Sequence, residues 1–218
     1  MNAGPYQMPQ QQSSIAQTAS ITGAATDAPL HGGAELEYLE RRFSVGPKYL
    51  TLPAPSDTEL LQAACLALRA PDHGGLQPFR FVQVMPDQRE RLAGLFAQDA
   101  ARRGHGADEV ERARRRAHNG PALVALIGHV RDDVQDVPAD EQWLCIGAGL
   151  MNFLNALHLM GYGAKTLSGA SIRDPGIQRA FCEAGEVLLA WVVIGTPIRS
   201  MHAKRPDDAT RVLGRWHT

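Results

Sequence analysis

Positive charge is missing from the start of the chain: no Lys or Arg precedes Arg41. That removes the basic region of a secretory signal and the Arg-rich face of a transit peptide, so the protein is expected to stay in the cytoplasm. Cysteine is scarce. Cys65, Cys145 and Cys182 form no Cys-x-x-Cys pair and fall in stretches that read as helical and partly apolar. They are expected to be buried free thiols, with no metal site. An excess of charge of either sign is also lacking. The 22 Lys and Arg against 23 Asp and Glu give a net charge of -1, so nothing draws the protein globally to nucleic acid or anionic lipid, and any anion site has to be local. No aromatic residue interleaves the arginines between Arg102 and Arg116. This argues against a base-stacking surface, and Asp108 with Arg112 and Glu111 with Arg115 are spaced to pair along one solvated helix face. The glycines at Gly161 and Gly163 follow a helix instead of a strand, and Thr166 stands where a dinucleotide fingerprint needs its third glycine, so that motif does not apply.

What remains is a soluble globular composition, 44% hydrophobic and 21% charged, enough for a substantial core. Residues 1–33 are rich in Gln, Ser, Thr, Ala and Gly without periodicity, and read as a disordered tail; residues 34–218 read as one domain. A short amphipathic helix is expected from Ala34 to Arg42, with Leu36, Leu39 and Phe43 on one side. Arg41 and Arg42 at its end either cap the last carbonyls or bind a ligand. Ser56 and Glu59 form a capping box that starts a helix carrying Leu60, Leu61, Ala64, Cys65 and Leu68 on one face. The segment Arg69 to Phe81 then joins this helix to an apolar strand, Phe79 to Met85, read as central. It holds Pro71, Asp72, His73, Gly74, Gly75, Gln77 and Pro78, a density of special residues suited to holding a flat polar ligand.

A helix from Asp87 to Arg103, the basic helix, and a strand from Ala122 to Val130 follow. The uncharged run Trp143 to Gly161 is long enough to raise a membrane span. Asn152, Asn155 and His158 interrupt it, and Ile146, Leu150, Phe153, Leu157 and Met160 repeat with helical period, so a buried helix with a small-residue face at Gly147, Ala148 and Gly149 is expected, at a subunit interface. Ala164 to Ala170 reads as a connection. Asp174-Pro175 caps a further helix, and Val187 to Ile194 is a third strand. Arg199, Lys204 and Arg205 beyond it are either solvated charges or anion ligands. The mixture of helices and strands implies an α+β or α/β domain of one sheet with packed helices.

Several of these segments together resemble the FMN-dependent nitroreductase family. The resemblance is carried by Arg41-Arg42-x-Ser44, Pro53-Ala54-Pro55, Arg69-Ala70-Pro71-Asp72-His73, Gln77-Pro78-Phe79-Arg80-Phe81, the small-residue helix, Gly161-Tyr162-Gly163, Ser168-Gly169-Ala170 and Gly195-Thr196-Pro197. It implies an α+β fold with a central, mostly antiparallel sheet flanked by helices, and a homodimer with FMN at the interface. It implies an enzyme that takes hydride from NADH or NADPH and reduces nitroaromatics, quinones or another activated small acceptor; a flavin-binding or storage role on the same fold is the alternative. In that picture Arg41, Arg42, Phe43 and Ser44 bind the flavin from one subunit. Arg69, His73 and Gln77 reach it from the other, with His73 a candidate proton donor. Thr166, Leu167 and Ser168 line the ring, and Arg205 joins late as a phosphate ligand. Guanidinium forks suit a phosphate, and hydride transfer is the flavin's own chemistry, so no catalytic triad or metal cluster is required. Phe43 stands where the family has Ser, Phe79 where Trp is common, and Thr166 and Leu167 replace a Trp-Arg pair, removing an aromatic wall and a cation near the ring.

Overall fold

Ser56 begins the chain's clearest local structure. In the computed structural model, which describes residues 33–201 and 211–216, Ser56 Oγ accepts the Glu59 N–H at 3.3 Å and the Glu59 carboxylate accepts the Ser56 N–H at 2.8 Å. The capping box is therefore reciprocal, and it starts α2 (Asp57–Ala67). Tyr162 also donates its hydroxyl to Glu59 at 3.0 Å. The Ser56 N–H, then its hydroxyl, then Tyr162 hold the Glu59 carboxyl below its ordinary range. The N-terminal tail and Arg205 lie outside the described residues.

The remaining helices are α1 (Ala34–Glu40), α3 (Arg89–Arg102), α4 (Ala107–Arg115), α5 (Ala139–Leu159) and α6 (Pro175–Phe181). The strands are β1 (Leu50–Thr51), β2 (Phe79–Gln83), β3 (Ala122–Gly128), β4 (Gly163–Leu167) and β5 (Val187–Pro197). β5 organises the sheet. It pairs antiparallel with β3, Val192 opposite Val124, with β4, Val192 opposite Thr166, and with β1, Thr196 opposite Thr51. β2 adds antiparallel beyond β3, Phe81 opposite Leu126. Every ladder is antiparallel, as the α+β expectation has it.

Two of those elements differ from the sequence reading. β2 is an edge strand instead of a central one, and four of its five residues are only half-buried. The centre belongs to β3, buried at all seven positions and apolar on both faces. β4 was expected to be a connection. Its Lys and Thr carry no apolar alternation, and it becomes a strand because β5 offers an edge to pair with.

Alternation along β5 divides the core. Trp191 and Val193 face Leu92 and Phe96 of α3 and Ile177 of α6, whereas Val192 and Ile194 face Leu60 and Ala63 of α2 and Phe153 and Leu157 of α5. On α2 the buried side chains are Leu60, Ala63 and Ala67; Leu61 is 67% exposed and Cys65 and Leu68 are exposed too, so the inward face lies around the helix from the expected one. α5 packs Ile146, Phe153 and Leu157 inward, yet Trp143 and Leu144 lie exposed, the latter at 73%. Within the single chain it is thus covered on one face only. Gly149 lets it approach β2, because a Cβ there would come within 2.4 Å of the Phe79 ring. Among the described residues no helix is long and apolar enough to cross a membrane.

Candidate active site

The loop between α2 and β2 is tied by its aspartate. Asp72 accepts the Leu76 N–H at 3.0 Å and the Gln77 N–H at 2.8 Å. Gly74 and Gln77 both take positive φ, 76° and 47°; the glycine does so freely, while the Asp72 bond holds Gln77 there. The closed loop delivers His73 to the first turn of α5, its Nδ1 2.7 Å from Glu141 Oε2, with both groups half exposed. Arg69 and Gln77 are exposed. Arg80, the loop's second arginine, has a structural task. It grips Glu186 through two hydrogen bonds of 2.6 Å and donates to the Phe181 carbonyl at 2.8 Å, joining β2 to the turn before β5.

The second group gathers at the far end of α5. His158 Nε2 lies 2.8 Å from the Tyr38 carbonyl and fixes the end of α1. Arg41 pairs with Glu37, and the half-buried Arg42 makes no side-chain hydrogen bond or ion pair among the described residues. Phe43 packs against the core. It lines a cavity of about 150 Å³ with Tyr38 and Arg199, and Arg199 also lies over the Tyr49 ring. Ser44 bridges to Ala164, and the Val45 N–H donates to the Ala164 carbonyl at 3.0 Å. That bond fixes the phase of β4. Ala164 directs its main chain away from β5, so Thr166, two residues on, presents its own N–H and C=O at the strand's free edge. Its hydroxyl is buried without a hydrogen-bond partner.

Leu167 and Ser168 continue from that edge into a cavity of about 420 Å³. Pro47, three residues after Ser44, is on its rim. Arg116, Asn119 and Ser171 supply polar groups, and Phe96, Leu123, Trp191 and Val193 supply apolar walls. Arg116, Asn119 and Trp191 did not stand out in the sequence. Arg116 looked like one more solvated charge of the basic helix, and Trp191 an ordinary strand residue. The one available signal was position: Arg116 and Asn119 immediately precede β3, which pairs with the strand carrying Trp191.

The expected pairs along α4 are also different. Arg112 donates to the Asp108 carbonyl at 3.2 Å, not to its carboxylate, and Glu111 faces Arg114 at 3.9 Å instead of Arg115. All three cysteines are free, but Cys65 is exposed. Burial, then the Asp72 charge, pushes the Cys145 thiol up; burial, then Glu186, does the same for Cys182, which leaves both poor nucleophiles. Among the described residues no group of three or more His, Cys, Asp or Glu could hold a metal ion.

The two groups of sequence-selected residues are anchored 17 residues apart along α5, at Glu141 and His158. At 1.5 Å per residue this is about 25 Å, so Arg42 and His73 are not brought together within one chain.

The sequence profile of the nitroreductase family matches residues 39–196, spanning both groups and the cavity between β4 and α4. The chain belongs to the nitroreductase family. It is 28% identical over 163 residues to "Putative NAD(P)H nitroreductase YdjA" of Escherichia coli K12, covering 74% of this chain and 87% of that protein. Among solved structures, a nitroreductase-like family protein from Bacillus cereus superposes with a TM-score of 0.68 at 18% identity, over 85% of this chain and 97% of that one. A variant of the FMN and NADPH-dependent nitroreductase NfnB from Sphigopyxis sp. strain HMH gives 0.61 at 17% identity, over 84% and 98%. At such identities the structural matches establish the nitroreductase fold. The matched span includes Arg41 and Arg42, the tied His73 loop and β4 with Thr166 and Leu167. Phe43 serves the core, and Thr166 offers the free edge its main chain.

Proposed function

We propose that this protein is an FMN-dependent oxidoreductase that takes hydride from NADH or NADPH and passes electrons to a nitroaromatic, a quinone or another activated small acceptor, in alternating half-reactions at one site. The observation that carries the reading is the open edge of β4 beside the cavity of about 420 Å³, apolar on its walls and polar on its rim. Those residues fit a flat heteroaromatic ring: Trp191, Leu123 and Val193 exclude water from its faces, and the Thr166 main chain, Ser168 and Asn119 meet its polar edge. Bound FMN supplies the hydride chemistry. Arg42 and Arg41 hold the phosphate, with Arg199 near Phe43 and Arg205 further on as additional cations. The acceptor's proton comes from His73, whose Nδ1 is held by Glu141, or from water.

The site is completed by a second copy of the chain. The 25 Å between the anchors of Arg42 and His73 supports this, and so does the apolar surface left on α2 and α5, where Leu61, Leu66, Trp143, Leu144 and Met151 are all exposed. Arg69, His73 and Gln77 then act on the partner's flavin. Purified protein saturated with FMN is expected to be yellow and to bleach when NADH or NADPH is added without oxygen. Protein that takes up no FMN, or bound FMN that neither nicotinamide reduces, would sink the reading.

A further inference from the structure

Arg89 opens α3 and is 6% exposed, an unusual place for a guanidinium. No carboxylate meets it among the described residues, and burial pushes its pKa down from the ordinary value. Its fork engages main-chain carbonyls instead. Nη1 donates to Ala117 at 2.6 Å and to Asn119 at 3.5 Å, and Nη2 donates to Pro121 at 3.5 Å. The Nε–H is left buried without an acceptor. Burying a cation with no anion beside it is costly, and an apolar side chain of similar volume would fill the space without that cost. What the guanidinium adds is reach: one planar group spans the carbonyls of alternate residues along the segment that leads into β3.

The other side of that segment rests on β5. A Cβ on Gly120 would come within 2.3 Å of Val193 Cγ1, and one on Gly195 within 2.7 Å of Pro121 Cδ. Held from α3 and from β5, the segment places Asn119 at the cavity of about 420 Å³ beside β4, of which Val193 is also a wall. Glu90, the next residue of α3, faces His118 at 3.0 Å, but its carboxylate is 75% exposed and water competes for that contact. The buried hold on the segment from α3 is therefore the one Arg89 makes.

Resting on the flavin reading of that cavity, we infer that Arg89 is a positioning residue of the site: its fork fixes the main chain around Asn119, so that Asn119 stands ready at the polar edge of the bound ring. Arg89 touches no ligand itself. Its work is done before the flavin arrives, because a segment already ordered does not have to be ordered by binding.

Titration of apoprotein with FMN, thermal unfolding and amide hydrogen exchange, on wild type, Arg89→Met, Arg89→Lys, Asn119→Ala and the double variant Arg89→Met with Asn119→Ala, test this. Arg89→Met is expected to weaken FMN binding about tenfold, the worth of one well-placed hydrogen bond. Against Asn119→Ala the same change should weaken it by less than about twofold, since the group it positions is gone. Its effect on melting temperature should be the same in both backgrounds. Arg89→Lys keeps the charge in the buried site and loses the fork, so it should fold, show faster amide exchange at Asn119 and Gly120 before FMN is added, and bind FMN more weakly than wild type. A lowered melting temperature with wild-type FMN affinity in both Arg89 variants overturns the assignment and leaves Arg89 a purely structural residue. Full additivity with Asn119→Ala, or unchanged exchange in Arg89→Lys, overturns it too. A wild-type protein that takes up no FMN overturns the flavin reading itself, and faster exchange in Arg89→Lys is still measurable in that case, so the two failures are distinct.

Discussion

Replacing Glu186 by Gln should destabilise the protein at neutral pH and leave it nearly unaffected in acid. Glu186 accepts two hydrogen bonds from Arg80 at 2.6 Å and the Glu183 N–H at 2.7 Å. These contacts, led by Arg80, lower its carboxyl from 4.5 to about 2. A carboxylate held lower in the folded than in the unfolded state stabilises the fold at all pH above the unfolded value, and loses that stabilisation as pH falls through the folded one. The window therefore runs from about 4.5 down to about 2. At about 1.4 kcal/mol per pH unit the full difference is roughly 3 kcal/mol. The Glu186 side chain is 9% exposed but Arg80 is 39% exposed, so water screens part of it. About 2 kcal/mol at pH 7 is the expected loss, between the values for surface and buried pairs. Urea unfolding of wild type and Glu186→Gln at pH 7, 5, 4 and 3 measures it. The gap should narrow steadily below pH 4.5. A gap as wide at pH 3 as at pH 7 would refute the charge argument and leave only packing; no gap at pH 7 would refute the pair's importance.

Ser56→Ala removes one half of the capping box and should cost about 1 kcal/mol, read as a fall in the urea midpoint without a change in slope. Gly149→Val drives side-chain carbon into the Phe79 ring, where a Cβ alone would sit 2.4 Å away; a loss of about 1–3 kcal/mol is expected by thermal unfolding, and an unchanged melting temperature would show that α5 can yield. Arg42→Ala should weaken FMN retention at least tenfold through a lost phosphate fork, measured by flavin fluorescence on titration of the apoprotein.

How much of this was legible in the sequence depended on how local each signal was. The Ser56–Glu59 box and the Asp174 cap, which accepts the Gly176 and Ile177 N–H groups at 2.9 and 3.0 Å, are short-range and were read correctly. So were β3 and β5, whose apolar runs survive any context. β4 was missed because its five residues gain strand geometry only from the edge of β5. The inward face of α2 was misjudged because Ala63 and Ala67, small and unremarkable, meet α5, while larger Leu61 and Leu68 are left exposed. Arg80 and Glu186, 106 residues apart, could not be paired from spacing, nor could Arg116 be told from its solvated neighbours. The twin arginine, His73 and the β4 segment were found by resemblance. Their physical arrangement, two groups at opposite ends of α5, came from the structure.

That arrangement makes the shared site the central claim, and subunit mixing tests it most directly. A two-fold dimer has one interface with two equivalent shared sites, so a hybrid of one Arg42→Ala and one His73→Ala subunit carries both lesions at one site and none at the other. Tagged hybrids purified after co-expression are predicted to bind one FMN per dimer, reducible by NADH or NADPH, while each parent variant retains little. Hybrids as empty of flavin as their parents would contradict a site built from two chains.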